Sequence, residues 1–255
     1  MRKHVYAEIT SEYVNIFSSK KQCSYALPID EKSVCKNKSA ILVANVRQAA
    51  IRVVDIYEKP TEGVFHALVQ RIKKIKPPGR WELVKSAFPI GEKMNENTHV
   101  FDGTVFTNET GAMVFLMAAL PVSITEELTT TGVSLFGTVY NISSLDTVEN
   151  ILFKYYAEQK ISEPFWVVFP QGESFRILFL AEGLPRAAWH VSNHPEYREG
   201  EVLRFLQGCK EEKKTTLRRA VVLNTDLNLE WLYTLFAENG IGVVKESYCL
   251  SRFIS

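Results

Sequence analysis

Residues 163–191 carry three short apolar runs, FWVVF (165–169), FRILFLA (175–181) and AAWHV (187–191). Two punctuating segments separate them, Pro170-Gln171-Gly172-Glu173 and Glu182-Gly183-Leu184-Pro185. Apolar runs this short, broken by Gly/Pro clusters, are too short for helices and predict three consecutive strands joined by tight turns. A polar segment of helical length follows, then strand-like 219–223, a helix over 227–238 and a last strand at 241–245. The expected order is strand, strand, strand, helix, strand, helix, strand.

Composition narrows what such a chain does. With 255 residues, 46% of them hydrophobic and 23% charged, it can bury a large core as one large or two medium domains. Thirty Lys and Arg against 29 Asp and Glu give no global pull towards nucleic acid or anionic membrane. Cys23, Cys35, Cys209 and Cys249 lie far apart with no CxxC pair, the pattern of reduced thiols rather than a disulfide frame or zinc site. The start, MRKHVYAEIT, has no signal-peptide core. The longest apolar stretch, 113–122, falls short of the roughly 20 residues needed to span a bilayer. A soluble, cytoplasmic chain is expected, without a direct membrane span.

The first part of the chain has a related pattern. Residues 4–9, 13–17 and 23–28 predict a meander of three strands, with Val5, Ala7 and Ile9 on one face against Val14, Ile16 and Tyr25. Further strands are expected at 40–46 and 48–57. Pro60 opens a helix to about residue 76, ended by Pro77-Pro78-Gly79, and its basic end (71–76) complements the helix dipole. Strands are expected near 81–88 and 98–106, and a fully buried one over 114–120. A helix then runs from Pro121 to about Thr130 and is closed by Gly132, a strand covers 133–139, and a helix capped by Ser143 or Ser144 covers 141–159. Two halves of similar plan result, residues 1–140 with an inserted subdomain at about 60–110, and residues 141–255.

The order of elements is that of an actin-like (ribonuclease-H-like) half. The run MVFLMAALPVSITEEL…GVSLFGTVYNISSLDTVENIL resembles an element of PilM, the actin-like family of type IV pilus assembly, and is similar to the cytoplasmic domain of the type II secretion family GspL. NGIGVV at 239–244 resembles that family's closing strand. The resemblance implies an α/β, actin-like duplicated fold with two mixed sheets flanked by helices. It places a first phosphate loop at 5–17, a second at 167–182 and an adenosine-side motif at Asn224-Thr225. In the family the first loop reads D-x-G-x-x-x-x-K, matched here by Glu8, Thr10 and Asn15. The carboxylate survives in kind, while the glycine that opens the turn and the lysine that meets the phosphates are gone. The second loop's Asp-x-Gly corresponds to Phe169-Pro170-Gln171: Phe cannot position a metal-bound water, and Pro offers no N–H. The double glycine is Asn224-Thr225. All three nucleotide motifs depart from the pattern, so no catalytic, cofactor-binding or metal residue is expected.

Other constellations give no stronger site. His190 and His194 share a metal-like spacing only if one helix carries both, and Pro195 argues against that. No G-x-S-x-G elbow or Walker-type loop is present. Trp166, Trp189, Trp231 and Phe175 are expected in the core.

Two function classes follow from the resemblance. The first is a non-catalytic scaffold or adaptor of a pilus or secretion platform, peripheral at the inner membrane, binding the cytoplasmic tail of an inner-membrane assembly protein; a homodimer is compatible with it. The second is a divergent ATP-binding protein or ATPase of the actin, Hsp70 and sugar-kinase superfamily, for which ATP and magnesium would be the cofactors and Glu8 the surviving acid.

Overall fold

A computed structural model of the chain describes residues 5–18, 21–28, 39–57, 94, 97–211, 215–223 and 228–254. The helix expected at 60–76, the strand at 81–88, Cys35 and the Asn224-Thr225 motif lie outside them.

The three runs of 163–191 form β9 (Phe165–Gln171), β10 (Ser174–Ala181) and β11 (Leu184–Val191). They make an antiparallel meander. Helix α3 (Arg198–Glu211) leads to β12 (Arg219–Leu223), which pairs parallel to β9, and helix α4 (Glu230–Glu238) leads to β13 (Gly242–Glu246), parallel to β12. The sheet order is β11-β10-β9-β12-β13.

The first half repeats this plan. Strands β1 (Val5–Ile9), β2 (Tyr13–Ser18) and β3 (Lys21–Ala26) form the meander, and β4 (Ala40–Ala44) pairs parallel to β1. The second parallel strand is β8 (Ile142–Thr147), in the order β3-β2-β1-β4-β8. Between β4 and β8 lies an inserted antiparallel sheet of β5 (Ala50–Tyr57), β6 (His99–Thr107) and β7 (Met113–Pro121), ordered β5-β7-β6.

Three expectations need correction here. Helix α1 (Val122–Phe136) runs past Thr130 and Gly132, and ends at Gly137, whose φ of 91° suits glycine. Thr125, Thr129, Thr130 and Ser134 each donate a hydroxyl to the carbonyl four residues back, a bond that does not itself favour the helix. The stretch stays helical because Leu128, Leu135 and Phe136 are buried against β1, β2 and β4. Gly132 does not stop the helix but lets it approach β4: a Cβ there would lie 2.8 Å from Leu42 Cδ1. Leu135 and Phe136, expected in a strand, are buried on the helix's inner face. The helix expected over 141–159 is instead β8 followed by α2 (Val148–Glu158), capped by Thr147, which accepts from Asn150 N, and not by Ser143 or Ser144. The polar sequence ISSLDT becomes a strand because β4 supplies a partner in register, Leu42 opposite Leu145. Since β8 completes the first sheet, that sheet extends beyond residue 140, where the two halves were expected to meet.

Strand β9 is buried on both faces, which explains its unbroken apolar run. Phe165, Val167 and Phe169 face a core shared with Phe17, Val43, α2 and the inserted sheet. Trp166 and Val168 face a second core under α3 and α4. A third core lies under α1 against β1, β2 and β4. Among the described residues no helix is long and apolar enough to cross a membrane.

Trp166 is fully buried against Trp189 and Phe236, whereas Tyr140 is 95% exposed. Trp166→Ala should therefore cost about 3–5 kcal/mol of unfolding free energy, and Tyr140→Ala less than about 0.5 kcal/mol. Urea denaturation of the two variants checks this contrast.

Candidate functional site: the cleft between the two halves

The turns of the two meanders, Thr10-Ser11-Glu12 and Gly172-Glu173, face each other across the halves. A Cβ built on Gly172 would lie 3.9 Å from Ser11 Oγ, ordinary van der Waals contact that leaves no space for a phosphate at that point. Thr10, buried in the first turn, accepts with its hydroxyl oxygen from the N–H groups of Glu12, 3.1 Å, and Tyr13, 3.0 Å. Its own N–H donates to Tyr13 O at 3.0 Å. A glycine turn aims such amides at an anion; here the threonine side chain consumes two of them.

Glu8 lies below this turn and is fully buried. One carboxyl oxygen accepts from Asn45 Nδ2 at 2.8 Å and makes a short hydrogen bond with the Tyr248 hydroxyl; the other accepts from Asn15 Nδ2 at 3.3 Å. Burial pushes the Glu8 pKa up, and hydrogen bonds from Tyr248, Asn45 and Asn15 pull it partly back. The three residues matched to the first loop therefore stay together, but Glu8 and Asn15 bond to each other and Thr10 to its own turn.

In the second loop Phe169 is fully buried and stacks on Tyr248, with centroids 6.4 Å apart and planes 14° apart. Pro170 continues the strand. Gln171 is buried, and its Oε1 accepts from Arg176 Nε at 3.0 Å and lies 3.3 Å from His190 Nδ1. Arg176, a cation within an apolar strand and only 4% exposed, reaches across to the first half. It pairs with the fully buried Glu149 of α2, Nε to Oε1 at 3.0 Å, and donates through Nη2 to the carbonyls of Arg47 and Ala49. Burial raises the Glu149 pKa, and the Arg176 charge lowers it.

His190 and His194 do not form a ligand pair on one helix, as Pro195 led to expect: β11 ends at Val191 and His194 lies beyond it. His190 sits on β11 beside Gln171, and His194 stacks on Tyr197 with centroids 5.3 Å apart. Burial, then the charges of Arg176 and Arg47, lower the His190 pKa to about 4. No group of metal-ligating side chains occurs among the described residues. Sequence reasoning missed Arg176, Tyr248, Asn45 and Glu149 as cleft residues. Only Arg176 carried a signal, a lone charge between Phe175 and Ile177 in a run otherwise apolar.

No family model matches the sequence, and no curated protein matches it. Solved structures do. The chain is similar to PilM in a PilM-PilN type IV pilus biogenesis complex, with TM-score 0.58 and 16% identity over 100% of this chain and 93% of that one. It is also similar to a protein from Bacteroides thetaiotaomicron described as having an actin-like ATPase fold and unknown function, with TM-score 0.54 and 8% identity, covering 99% and 95% of the two chains. The chain has the actin-like fold. A third similar structure is the cytoplasmic domain of EpsL, an inner membrane component of the Vibrio cholerae type II secretion system, with TM-score 0.48 and 10% identity over 98% and 92% of the chains.

The residues described in this cleft depart from those that the resemblance places around a nucleotide's phosphates. No lysine stands at the position matched by Asn15, Phe169 replaces the acid that would hold a metal-bound water, and Thr10 takes the turn amides.

Two predictions follow from the buried charges. Arg176→Met leaves Glu149 buried without its cation and should cost about 3–5 kcal/mol, while Glu149→Leu combined with Arg176→Met should cost less than the sum of the single variants. A denaturant double-mutant cycle measures this. For His190, the folded pKa of about 4 lies below the 6.5 of an unperturbed imidazole. The unfolded chain takes the proton first, so this contribution to stability is complete above pH 6.5 and is lost as pH falls towards 4. Melting temperatures should fall over that window, and His190→Gln should flatten the fall.

Proposed function

We propose that this chain is a non-catalytic adaptor that holds the cytoplasmic tail of an inner-membrane partner in a pilus or secretion assembly. The observation that carries it is the chemistry of the cleft: the fold is kept, while Thr10, Asn15 and Phe169 stand where the resemblance places a glycine, a lysine and an acid of the two phosphate loops. An actin-like fold without that chemistry retains its surfaces, and function lives in sites rather than folds. The similar PilM structure is described as a complex with PilN, which supports a peptide-holding role for this chain too.

The groove best suited to an extended tail lies between β8 and the inserted sheet. It encloses about 350 Å³ and is lined by Val100, Leu116, Ala118 and Leu120 from the inserted sheet, and by Leu145 and Asp146 from β8. Val100 is 46% exposed at its rim. Apolar anchors from an extended segment would seat against these side chains, and the neighbouring carboxylate would favour a basic residue.

The second reading is a divergent ATP-binding protein, favoured by the retained carboxyl group of Glu8. Calorimetric titration with ATP and magnesium separates the two: no saturable heat is expected. The adaptor reading has its own test. A synthetic peptide of the cytoplasmic tail of the membrane protein encoded beside this chain should bind, and Val100→Asp should weaken that binding about tenfold with an unchanged melting temperature. Saturable ATP binding together with no peptide binding would reverse the assignment.

A further inference from the structure

The segment after β13 occupies a position set by the duplication. In the first half, the strand that completes the sheet, β8, ends at Thr147, and Glu149 stands two residues on, at the start of α2. In the second half the corresponding strand, β13, ends at Glu246, and Tyr248 stands two residues on. Glu149 crosses to Arg176 on β10 of the second half; Tyr248 crosses to Glu8 on β1 of the first. Each half thus sends a residue two positions beyond its last strand into the other half's meander, Glu149 to the middle strand β10 and Tyr248 to the first strand β1.

The crossing segment is anchored along its length. Tyr248 stacks on Phe169 and bonds to Glu8, so one side chain touches both residues that stand where the two nucleotide loops carry acids. Cys249 Sγ lies 3.6 Å from Gln22 Oε1 of β3. Leu250 is fully buried and Phe253 is 3% exposed in the core shared by both halves. The Phe253 ring meets Tyr155 of α2 edge-on, centroids 4.9 Å apart, and lies 6.1 Å from Tyr156. The two crossing elements therefore touch each other.

We infer that this segment, through Tyr248, is a built-in ligand: it clamps together β1 and β9, the strands that lead into the two meander turns, in the position where a nucleotide would bridge them in an actin-like cleft. The inference rests on the reading of the cleft as unable to hold a nucleotide, and goes beyond it by naming what holds the halves in its place. A ligand that bridges two lobes lowers the free energy of the closed form by its contacts to both. Tyr248 makes such contacts with no concentration dependence. The closed arrangement is then permanent rather than switched.

Hydrogen exchange on the full chain tests this, using Tyr248→Ala and the milder Tyr248→Phe, which removes only the hydroxyl. Tyr248→Ala should speed amide exchange about tenfold or more in both turns, 10–13 and 171–174, and leave α3 and α4 unchanged. Tyr248→Phe should move both turns in the same direction by less, and decides the matter if the alanine variant does not fold. Neither variant should gain saturable binding of a fluorescent ATP analogue with magnesium. Faster exchange confined to 247–254 would overturn the clamp and leave the adaptor reading standing. ATP binding by Tyr248→Ala alone would make the segment a displaceable plug and overturn the clamp. ATP binding by the wild-type chain would overturn both readings.

Discussion

A single buried cation joins the two halves. Arg176 rises from the middle of an apolar strand, and its guanidinium bonds, besides Gln171 of its own half, to the Glu149 carboxylate and the carbonyls of Arg47 and Ala49 in the other half. A buried charge is tolerated only when its partners are held in place. Its presence therefore requires α2, the loop after β4 and the β9–β10 hairpin to keep fixed positions relative to one another. Apolar packing between the halves is extensive but non-directional; the guanidinium, with its rigid fork of donors, selects one arrangement among those the apolar surfaces would permit.

Around that fixed point the fold repeats itself. Both sheets have an antiparallel meander extended by two parallel strands, and both put their central strand between two apolar layers. The inserted sheet breaks the symmetry and is itself tied to the second half. Arg186 of β11 pairs with Asp55 at 3.1 Å, Lys160 with Glu109 at 2.6 Å, and Asn108 Nδ2 donates to the Glu182 carbonyl at 3.1 Å. The ion pairs are largely exposed and each is worth little, but they border one cavity.

The meanders were legible in the sequence because short apolar runs between Gly and Pro admit little else, and 219–223 matched β12 at both ends. The region 121–159 was misread for a local reason. Thr129, Thr130, Thr131 and Gly132 are poor helix formers, yet the burial of Leu128, Leu135 and Phe136 and the close packing of Gly132 on Leu42 keep the segment helical. ISSLDT is an indifferent strand sequence that becomes one because β4 waits beside it. In the cleft, the departures at Thr10 and Phe169 were readable as changes of residue type. What replaced the lost chemistry was not readable: Tyr248 and Glu8 are 240 residues apart in the chain, and no local pattern announces such a contact.

The junction of β8 and α2 serves two masters. Asp146 and Thr147 at the end of β8 and Asn150 in the first turn of α2 line the groove beside the inserted sheet, and Glu149, in that turn, holds Arg176. A substitution that reshapes this wall of the groove also disturbs the charge on which the two halves depend. The opposite wall, at Val100 on β6, carries no such burden. A change in what the groove accepts is therefore less costly at the exposed Val100 than on the α2 wall, or at Gly103 of β6, where a Cβ would lie 2.2 Å from the Phe115 ring.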